Sequence, residues 1–226
     1  SEGFECEKIA IEKIKHFVSK EAFNIDGFGK KIVENFWELK LIKFPQDIFG
    51  LNYEKIKSLE GWGDLSVSNL KYSIDNSKKI TLDRFIYSLG IRHIGQENAK
   101  LLSKHLKSPD NFFDLSVNNM SELSNIDGIG ETQIKSIKNF FLNKINLNIL
   151  SELKKILKIT SASLVNRTGI FRNKTFMITG KLQGISRAEA KFLIEQNSGK
   201  IISNVNKKLD YLIAGEKPTM KKVNNA

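Results

Sequence analysis

The chain has 226 residues, 40% of them apolar and 27% charged, with a formal net charge of +11 and one cysteine. This composition is sufficient for one or two buried cores and excludes a disordered tail, while the positive charge favours a polyanionic partner such as DNA or RNA. One cysteine excludes an internal disulfide framework, and no apolar run approaches the ~18 residues of a membrane span, so a soluble protein of a reducing cytoplasm is expected, without membrane contact.

Helical spacing of apolar residues dominates up to about residue 145. Ile14, Phe17 and Val18 are one example of this spacing. Residues 146–168 continue one apolar stripe and then become rich in Ser and Thr, which predicts a short helix and a linker. We therefore predict that residues 1–145 are all-helical.

From residue 169 the pattern changes to short strands. Apolar and β-branched runs lie at 175–179, 200–203 and 211–214, with an amphipathic stretch at 187–196 between the first two. The order strand, helix, strand, strand predicts a small α/β domain. The residues after the third strand suffice only for the start of a helix, so we expect this domain to be C-terminally incomplete. The absence of an initial Met leads us to expect a piece of a longer protein.

A five-residue turn recurs four times. The pattern is hydrophobic, any residue, Gly, hydrophobic, Gly, at residues 25–29, 59–63 and 126–130, and the copy at 91–95 has His93 in place of the first glycine. The first-glycine positions 27, 61, 93 and 128 are separated by 34, 32 and 35 residues, and helical spacing flanks each turn.

The repeated turn has a physical interpretation. Glycine tolerates positive φ, and its lack of a Cβ lets a ligand approach the backbone closely. The free N–H groups of the helix that follows attract an anion such as a DNA phosphate. A single copy would be better explained as the end of one helix and the start of another. The period alone would also suit a helical solenoid, whose signatures are missing. Four copies at one spacing favour tandem helix-hairpin-helix modules, which bind duplex phosphates across the minor groove without reading bases.

The charge distribution indicates how these modules would bind DNA. Residues 1–145 hold 21 Lys and Arg against 20 Asp and Glu, whereas residues 169–226 hold 11 against 4. Backbone amides and a few lysines must therefore dominate in the helical region. The candidate DNA-binding residues are Gly27, Gly29, Lys30, Lys31, Gly61, Gly63, His93, Gly95, Gln96, Gly128, Gly130 and Thr132, with Gln133 as a further donor. A solvated helix start is the alternative for the two lysines.

Other conspicuous side chains favour structural roles. Phe28 and Trp62 lie between paired glycines, where packing under the hairpin is favoured over base stacking. His16, His93 and His105 lack metal-ligand spacing, so a structural role is favoured for them as well.

Two of the longer runs around the turns carry a family resemblance. Residues 15–29 and 81–95, with the Leu-Glu-Gly-Trp-Gly and Ile-Asp-Gly-Ile-Gly turns, resemble the helix-hairpin-helix domain of bacterial NAD-dependent DNA ligases. Residues 171–180, with 186–190, 197–200 and 210–215, are similar to the first part of a BRCT domain. The resemblance implies a mainly α fold, in which a tandem helix-hairpin-helix domain is followed by a small, truncated α/β BRCT-like domain. The implied segments are 1–20 (end of a zinc finger and lead-in helix), 21–145 (four hairpins), 146–168 (helix and linker) and 169–226 (BRCT-like, incomplete).

The resemblance also implies a function. The chain would be the non-catalytic part of a ligase that binds nicked duplex DNA through backbone phosphates during nick sealing in replication and repair. The intact enzyme would use NAD, zinc and a divalent metal such as magnesium in the bacterial cytoplasm, associated with the nucleoid. This fragment, without an adenylation site or any catalytic residue, would bind none of these cofactors and be inactive alone. The alternative is a non-enzymatic DNA-repair scaffold with hairpin and BRCT modules.

Two further sites follow from the resemblance. Cys6 resembles the last zinc ligand of the ligase zinc finger, whose other cysteines would lie upstream. Thr179 and Gly180, with Lys221 or Lys222, resemble the phosphate site of some BRCT domains. The alternative is that Thr179 caps a strand and the lysines are solvated. A monomer with protein partners bound through the BRCT-like domain is expected.

Overall fold

A computed structural model describes Phe4 and residues 6–115, 120–161, 169–185, 187–202, 204–206 and 208–224. The chain divides into two compact units, Ser1–Ser163 and Leu164–Ala226, each of which is treated by itself below. None of the helices in these ranges is long and apolar enough to cross a membrane.

The first unit is mainly helical. Its α-helices are α1 Glu7–Val18, α2 Lys30–Glu38, α3 Tyr53–Lys57, α4 Asp64–Ser77, α5 Leu82–Ser88, α6 Gln96–Leu106, α7 Pro109–Phe113, α8 Glu131–Leu142 and α9 Lys144–Ile156, and its 3₁₀ helices are η1 Pro45–Gly50 and η2 Met120–Asn125. Four sequential pairs form helical hairpins around the repeated turns: α1/α2 (hairpin 1), α3/α4 (hairpin 2), α5/α6 (hairpin 3) and η2/α8 (hairpin 4).

One apolar core joins the hairpins. Residues at helical spacing, such as Ile14 and Phe17 in α1 or Phe85 and Ile86 in α5, are fully or almost fully buried. Arg84 fixes hairpin 3 to the approach of hairpin 1, because its guanidinium donates hydrogen bonds of 2.8 Å to the carbonyls of residues 20 and 22. Because the turns are anchored to this common core, their relative positions are set by packing.

A short parallel ribbon lies within this helical unit. Strands β1 Lys79–Thr81 and β2 Lys158–Thr160 pair in register. The prediction of an all-helical region up to residue 145 was therefore wrong at β1. A three-residue strand is too short to show an alternating pattern, and its partner lies far away in the sequence, so apolar periodicity does not reveal it.

The second unit is a small α/β domain. Its elements are β3 Thr175–Thr179, α10 Arg187–Gln196, β4 Lys200–Ile201, β5 Tyr211–Ala214 and α11 Met220–Asn224. Along the chain these elements follow the predicted order of strand, helix, strand, strand. The strands form a parallel sheet in the order β4-β3-β5. The central strand β3 is buried along Phe176, Met177 and Ile178, as a strand covered on both faces of a parallel sheet requires.

Candidate nucleic-acid interface

The four repeated turns have the same backbone hydrogen bond. In each, the N–H of the fourth residue donates to the carbonyl of the first, at 3.0–3.2 Å: Phe28 to Ile25, Trp62 to Leu59, Ile94 to Ile91 and Ile129 to Ile126. The first and fourth residues of each turn are buried or half-buried in the core, while the third residue and the glycine at the fifth position are exposed. The turn therefore directs its apolar side chains inward and its backbone toward solvent.

The third residue of every turn has left-handed backbone geometry. Its φ is +82° at Gly27, +81° at Gly61, +63° at His93 and +88° at Gly128. Positive φ at this position alone is the pattern of a type II turn, which favours glycine there. His93 adopts the same conformation without being glycine, and the side-chain amide of Asn98 donates a 3.0 Å hydrogen bond to its carbonyl. The copy at 91–95 is thus structurally equivalent to the other three.

The second glycine of each turn is the residue immediately before a helix. Gly29, Gly63, Gly95 and Gly130 have extended backbone geometry and precede α2, α4, α6 and α8. The first N–H groups of a helix have no acceptor within it, and glycine has no side chain to cap them. Each hairpin therefore presents backbone donors and the positive end of a helix dipole at its exposed tip.

The fold itself does not require glycine at three of these four second positions. A Cβ at Gly29, Gly63 or Gly95 would have no atom of this chain within 4 Å, and their φ angles are negative. The space that glycine leaves open lies outside the protein. That arrangement suits a ligand whose atoms must reach the backbone N–H groups closely.

The hairpin tips differ in charge. Hairpin 1 begins its second helix with Lys30 and Lys31, both exposed and involved in no hydrogen bond or ion pair between described residues. The second helix of hairpin 2 begins with Asp64, whose carboxylate pairs with Lys57, and the second helix of hairpin 4 begins with Glu131. The second helix of hairpin 3 begins with the neutral and exposed Gln96, followed by Glu97, whose carboxylate pairs with Lys100. Electrostatics therefore favour an anion most strongly at hairpin 1.

The tips also differ in how much of their backbone is already hydrogen-bonded. The N–H of Gly63 donates to Ser66 Oγ at 2.9 Å, and that of Gly130 donates to Gln133 Oε1 at 3.2 Å. Neither Gly29 nor Gly95 has such a contact with another described residue. Sequence reasoning treated Gln133 as a phosphate donor and missed this capping role, although a polar residue three positions after the cap is its usual signal.

The aromatic residues of hairpins 1 and 2 are packed together. Phe28 is 2% exposed and stacks edge-on against Phe36 at 5.5 Å between ring centroids, and Phe36 lies 5.6 Å from Trp62. Packing under the hairpins, rather than base stacking, is thus what these rings do in the free protein.

The remaining histidines lie on different helices, His16 on α1 and His105 on α6. His16 Nε2 is 2.7 Å from the carbonyl of Tyr87, and its ring packs against that tyrosine, while His105 is exposed on α6. Thr132 is exposed on the first turn of α8. In the part of the chain that the structure describes, no group of three His, Cys, Asp or Glu residues could hold a metal ion.

Cys6 is half-buried and immediately precedes α1, where its carbonyl accepts a hydrogen bond from Ala10 N–H. It can supply one thiolate to a metal, but among the described residues it belongs to no group of three or more candidate metal ligands. The residues in hand therefore do not form a complete zinc site.

The second unit brings its predicted phosphate-site residues close together. Thr179 ends β3, is 2% exposed, and its hydroxyl accepts a 3.1 Å hydrogen bond from Thr219 N–H, next to the helix that carries Lys221 and Lys222. Gly180 has φ +80°, and a Cβ there would lie 2.7 Å from a backbone carbonyl oxygen, so the fold requires glycine. Lys221 is exposed and Lys222 half-exposed. The hydroxyl of Thr179 is thus already used as an acceptor within the unit.

Comparison with known proteins follows the division into two units. A family model described as a helix-hairpin-helix motif matches residues 84–150, and one described as a BRCA1 C Terminus (BRCT) domain matches residues 166–226. The first match spans the turns of hairpins 3 and 4. The predicted fold class, mainly α with a small α/β domain, is confirmed.

Curated relatives match nearly the whole chain. Proteins named DNA ligase are 74% identical over all of it in Pelagibacter ubique, 43% identical over 97% of it in Wolbachia pipientis subsp. Culex pipiens, and 39% identical over 95% of it in Rickettsia bellii. The chain spans only about a third of the length of these relatives, 34%, 34% and 33% respectively. The predicted resemblance to a C-terminal part of bacterial DNA ligases is confirmed.

Proposed function

We propose that this chain, a C-terminal segment of a bacterial DNA ligase, binds nicked duplex DNA by its hairpin tips while other parts of the enzyme seal the nick. The observation that carries the proposal is the repeated glycine at the start of a helix, exposed and surrounded by open space at Gly29, Gly63 and Gly95. Helix N-termini with free N–H groups bind phosphate. The relatives named DNA ligase favour this function over a non-enzymatic repair scaffold.

Binding would be independent of DNA sequence. Backbone N–H groups contact phosphate oxygens, which are the same at every base pair, so the hairpins fix the position of the duplex without selecting a base. Four tips on one core would hold several phosphates at set distances. This suits an enzyme that must act on a nick wherever it occurs during replication and repair.

We propose an order of importance among the tips. Hairpin 1 has two exposed lysines and an uncapped glycine N–H. Hairpin 3 has an uncapped glycine N–H beside the neutral Gln96, and the carboxylate of the next residue, Glu97, pairs with Lys100. Hairpins 2 and 4 combine an acidic first helical residue with a glycine N–H that Ser66 or Gln133 already accepts. A phosphate at these two tips must displace a side chain and approach a carboxylate. Hairpins 1 and 3 therefore contribute most of the affinity.

The bond-making chemistry is assigned to the intact enzyme. On the family resemblance, that enzyme uses NAD for adenylation, a divalent metal such as magnesium, and structural zinc, to which Cys6 contributes one ligand. No residue of this chain is assigned a catalytic role, and the segment by itself is expected to be inactive in ligation. The same resemblance suggests the bacterial cytoplasm, near the nucleoid, and a monomer.

The BRCT-like unit is proposed to contact a second partner. Thr179 and Gly180 lie next to the helix bearing Lys221 and Lys222, which would suit a phosphate group on a protein or on DNA. For this to occur, the phosphate would compete with Thr219 N–H for the hydroxyl of Thr179, which can still donate its own hydrogen.

Equilibrium binding to labelled nicked duplexes of unrelated sequence tests the proposed function. We expect similar affinities for all sequences, and a linear decrease of log affinity with log salt concentration. Fluorescence anisotropy over a salt series measures both. A strong preference for one sequence, or an affinity that does not respond to salt, would contradict binding through phosphates.

A further inference from the structure

The parallel ribbon formed by β1 and β2 is built from one tripeptide used twice. Lys-Ile-Thr occurs at residues 79–81 and again at 158–160, and the two copies pair residue for residue. Each residue therefore lies beside its identical counterpart. Below, these six residues are called the Lys-Ile-Thr ribbon.

The ribbon has one buried face and one solvent face. Ile80 is 6% exposed in the core, and Ile159 packs against the same core. Side chains alternate along a strand, so the lysines and threonines project from the opposite face. In-register partners in a parallel pair lie on the same face, which places Lys79 beside Lys158.

These two lysines form no ion pair with another described residue. Both are exposed, and neither side chain takes part in a hydrogen bond within the described ranges. Two lysines close to them in the sequence do form ion pairs: Lys78 pairs with Asp75 at 2.7 Å, and Lys155 pairs with Glu152 at 2.6 Å. Like charges directly opposite each other destabilise a strand pair, and an anion between them would remove that repulsion.

Two hairpin tips flank the ribbon along the chain. Helix α5 has seven residues between β1 and the turn of hairpin 3 at 91–95, a length of about 10 Å, or about three base-pair steps of 3.4 Å. Helix α4 has 14 residues between the tip of hairpin 2 and the start of β1, a length of about 21 Å at 1.5 Å per residue. That distance corresponds to about six base-pair steps of 3.4 Å. A phosphate bound at the ribbon would therefore differ from those at hairpins 2 and 3.

We propose that Lys79 and Lys158 together bind a backbone phosphate of the DNA, at a site separate from the hairpin turns. The inference rests on the proposed function, since it takes duplex DNA as the polyanion. The flanking hydroxyl of Thr160 donates only a long 3.4 Å hydrogen bond to the carbonyl of Ile80, which leaves the lysines as the principal contacts. The site would bind the phosphate through charge alone, so binding there would be independent of DNA sequence.

The test compares two variants of the 226-residue chain that lose the same net charge. The first is Lys79→Gln with Lys158→Gln, and the control is Lys78→Gln with Lys155→Gln. The salt dependence of binding to a nicked duplex is measured for both by fluorescence anisotropy, with circular dichroism to establish that each is folded. We expect the slope of log affinity against log salt to decrease by about 1.8 in the first variant, for two lost phosphate contacts, and by much less in the control.

The outcomes separate this proposal from the proposed function. Equal slopes in the two variants, with wild-type binding intact, would overturn the ribbon site and leave the hairpins unaffected. Failure of the wild-type chain to bind any duplex would instead defeat the proposed function, and with it the ribbon site. A thermal midpoint of the ribbon variant at or above that of wild type is also expected, because the repulsion between the lysines is removed; a lower midpoint would show that they stabilise the fold.

Discussion

Replacing Gly29 with serine should strengthen the fold and weaken DNA binding. Gly29 precedes α2 with φ −72° and ψ 173°, a conformation open to any residue, and a Cβ there would contact no atom of this chain. Serine at this position caps a helix better than glycine by a few tenths of a kcal/mol, because its hydroxyl accepts a hydrogen bond from an N–H of the first turn. That N–H is one that the proposed function assigns to a DNA phosphate.

The size of the effect on affinity follows from the lost contact. A hydrogen bond to a charged group contributes about 1.5–3 kcal/mol, so the loss of one such bond weakens binding at least about tenfold. The added side chain also occupies the space through which the phosphate approaches. Stability and affinity are therefore expected to change in opposite directions, which a general loss of structure would not produce.

The assay is anisotropy with a nicked duplex, together with urea unfolding of the same samples. Gly50→Ser is the matched control, because Gly50 is exposed, has no atom within 4 Å of a Cβ position, and lies at the end of η1 outside the turns. Its affinity should equal that of wild type. An unchanged affinity for Gly29→Ser, with the fold intact, would refute the assignment of this helix start to phosphate binding.

Four further substitutions test the turns and the half-buried Tyr53. His93→Gly should raise the free energy of unfolding in urea by up to about 1 kcal/mol, because relief of a left-handed residue (about 1–2 kcal/mol) exceeds the added flexibility of the unfolded chain (about 0.4–1 kcal/mol); a less stable variant would contradict this. In a salt series of DNA binding, Lys31→Gln should lower the affinity and reduce the slope of log affinity against log salt by about 0.9. Glu131→Gln should raise the affinity, because it removes a carboxylate from a tip that faces a phosphate. A change of affinity in the same direction for both variants would count against a binding role of these tips. Burial, together with the charge of Asp75, raises the pKa of Tyr53 to about 12. Folding therefore favours the neutral form of Tyr53, and the contribution of this group to the free energy of unfolding is lost as the pH rises from about 10 to 12. Unfolding midpoints across that range should decrease less for Tyr53→Phe than for wild type, and identical decreases would refute the assignment.

The sequence was informative where one structural signal repeats. The spacing of the four turns identified the hairpins, including the copy with His93, because each copy must bury two apolar residues and turn with a positive φ at the same position. The strands of the second unit were also predictable. Strands β3 and β5 lie in continuous apolar or β-branched runs, and a buried parallel strand such as β3 requires that composition.

Features that depend on distant or competing partners were not predictable. Strand β1 forms only because β2 returns beside it, and three residues carry no periodic signal of their own. Ser66 and Gln133 are polar residues near a helix start, where solvent, a phosphate and the glycine N–H are all available partners. Only the geometry of the folded chain shows that each accepts from the glycine. The differences among the tips therefore became visible only in the structure.

The pairing of β1 with β2 has a consequence for the order of folding. It joins residue 79 to residue 158, so a loop containing the tips of hairpins 3 and 4 must close before the ribbon forms. Closing so long a loop is entropically costly, and during synthesis at about 5–20 residues per second β1 must wait several seconds for its partner to appear. The individual hairpins are local and can form earlier. The ribbon is thus expected to be the last element of the first unit to become protected from hydrogen exchange.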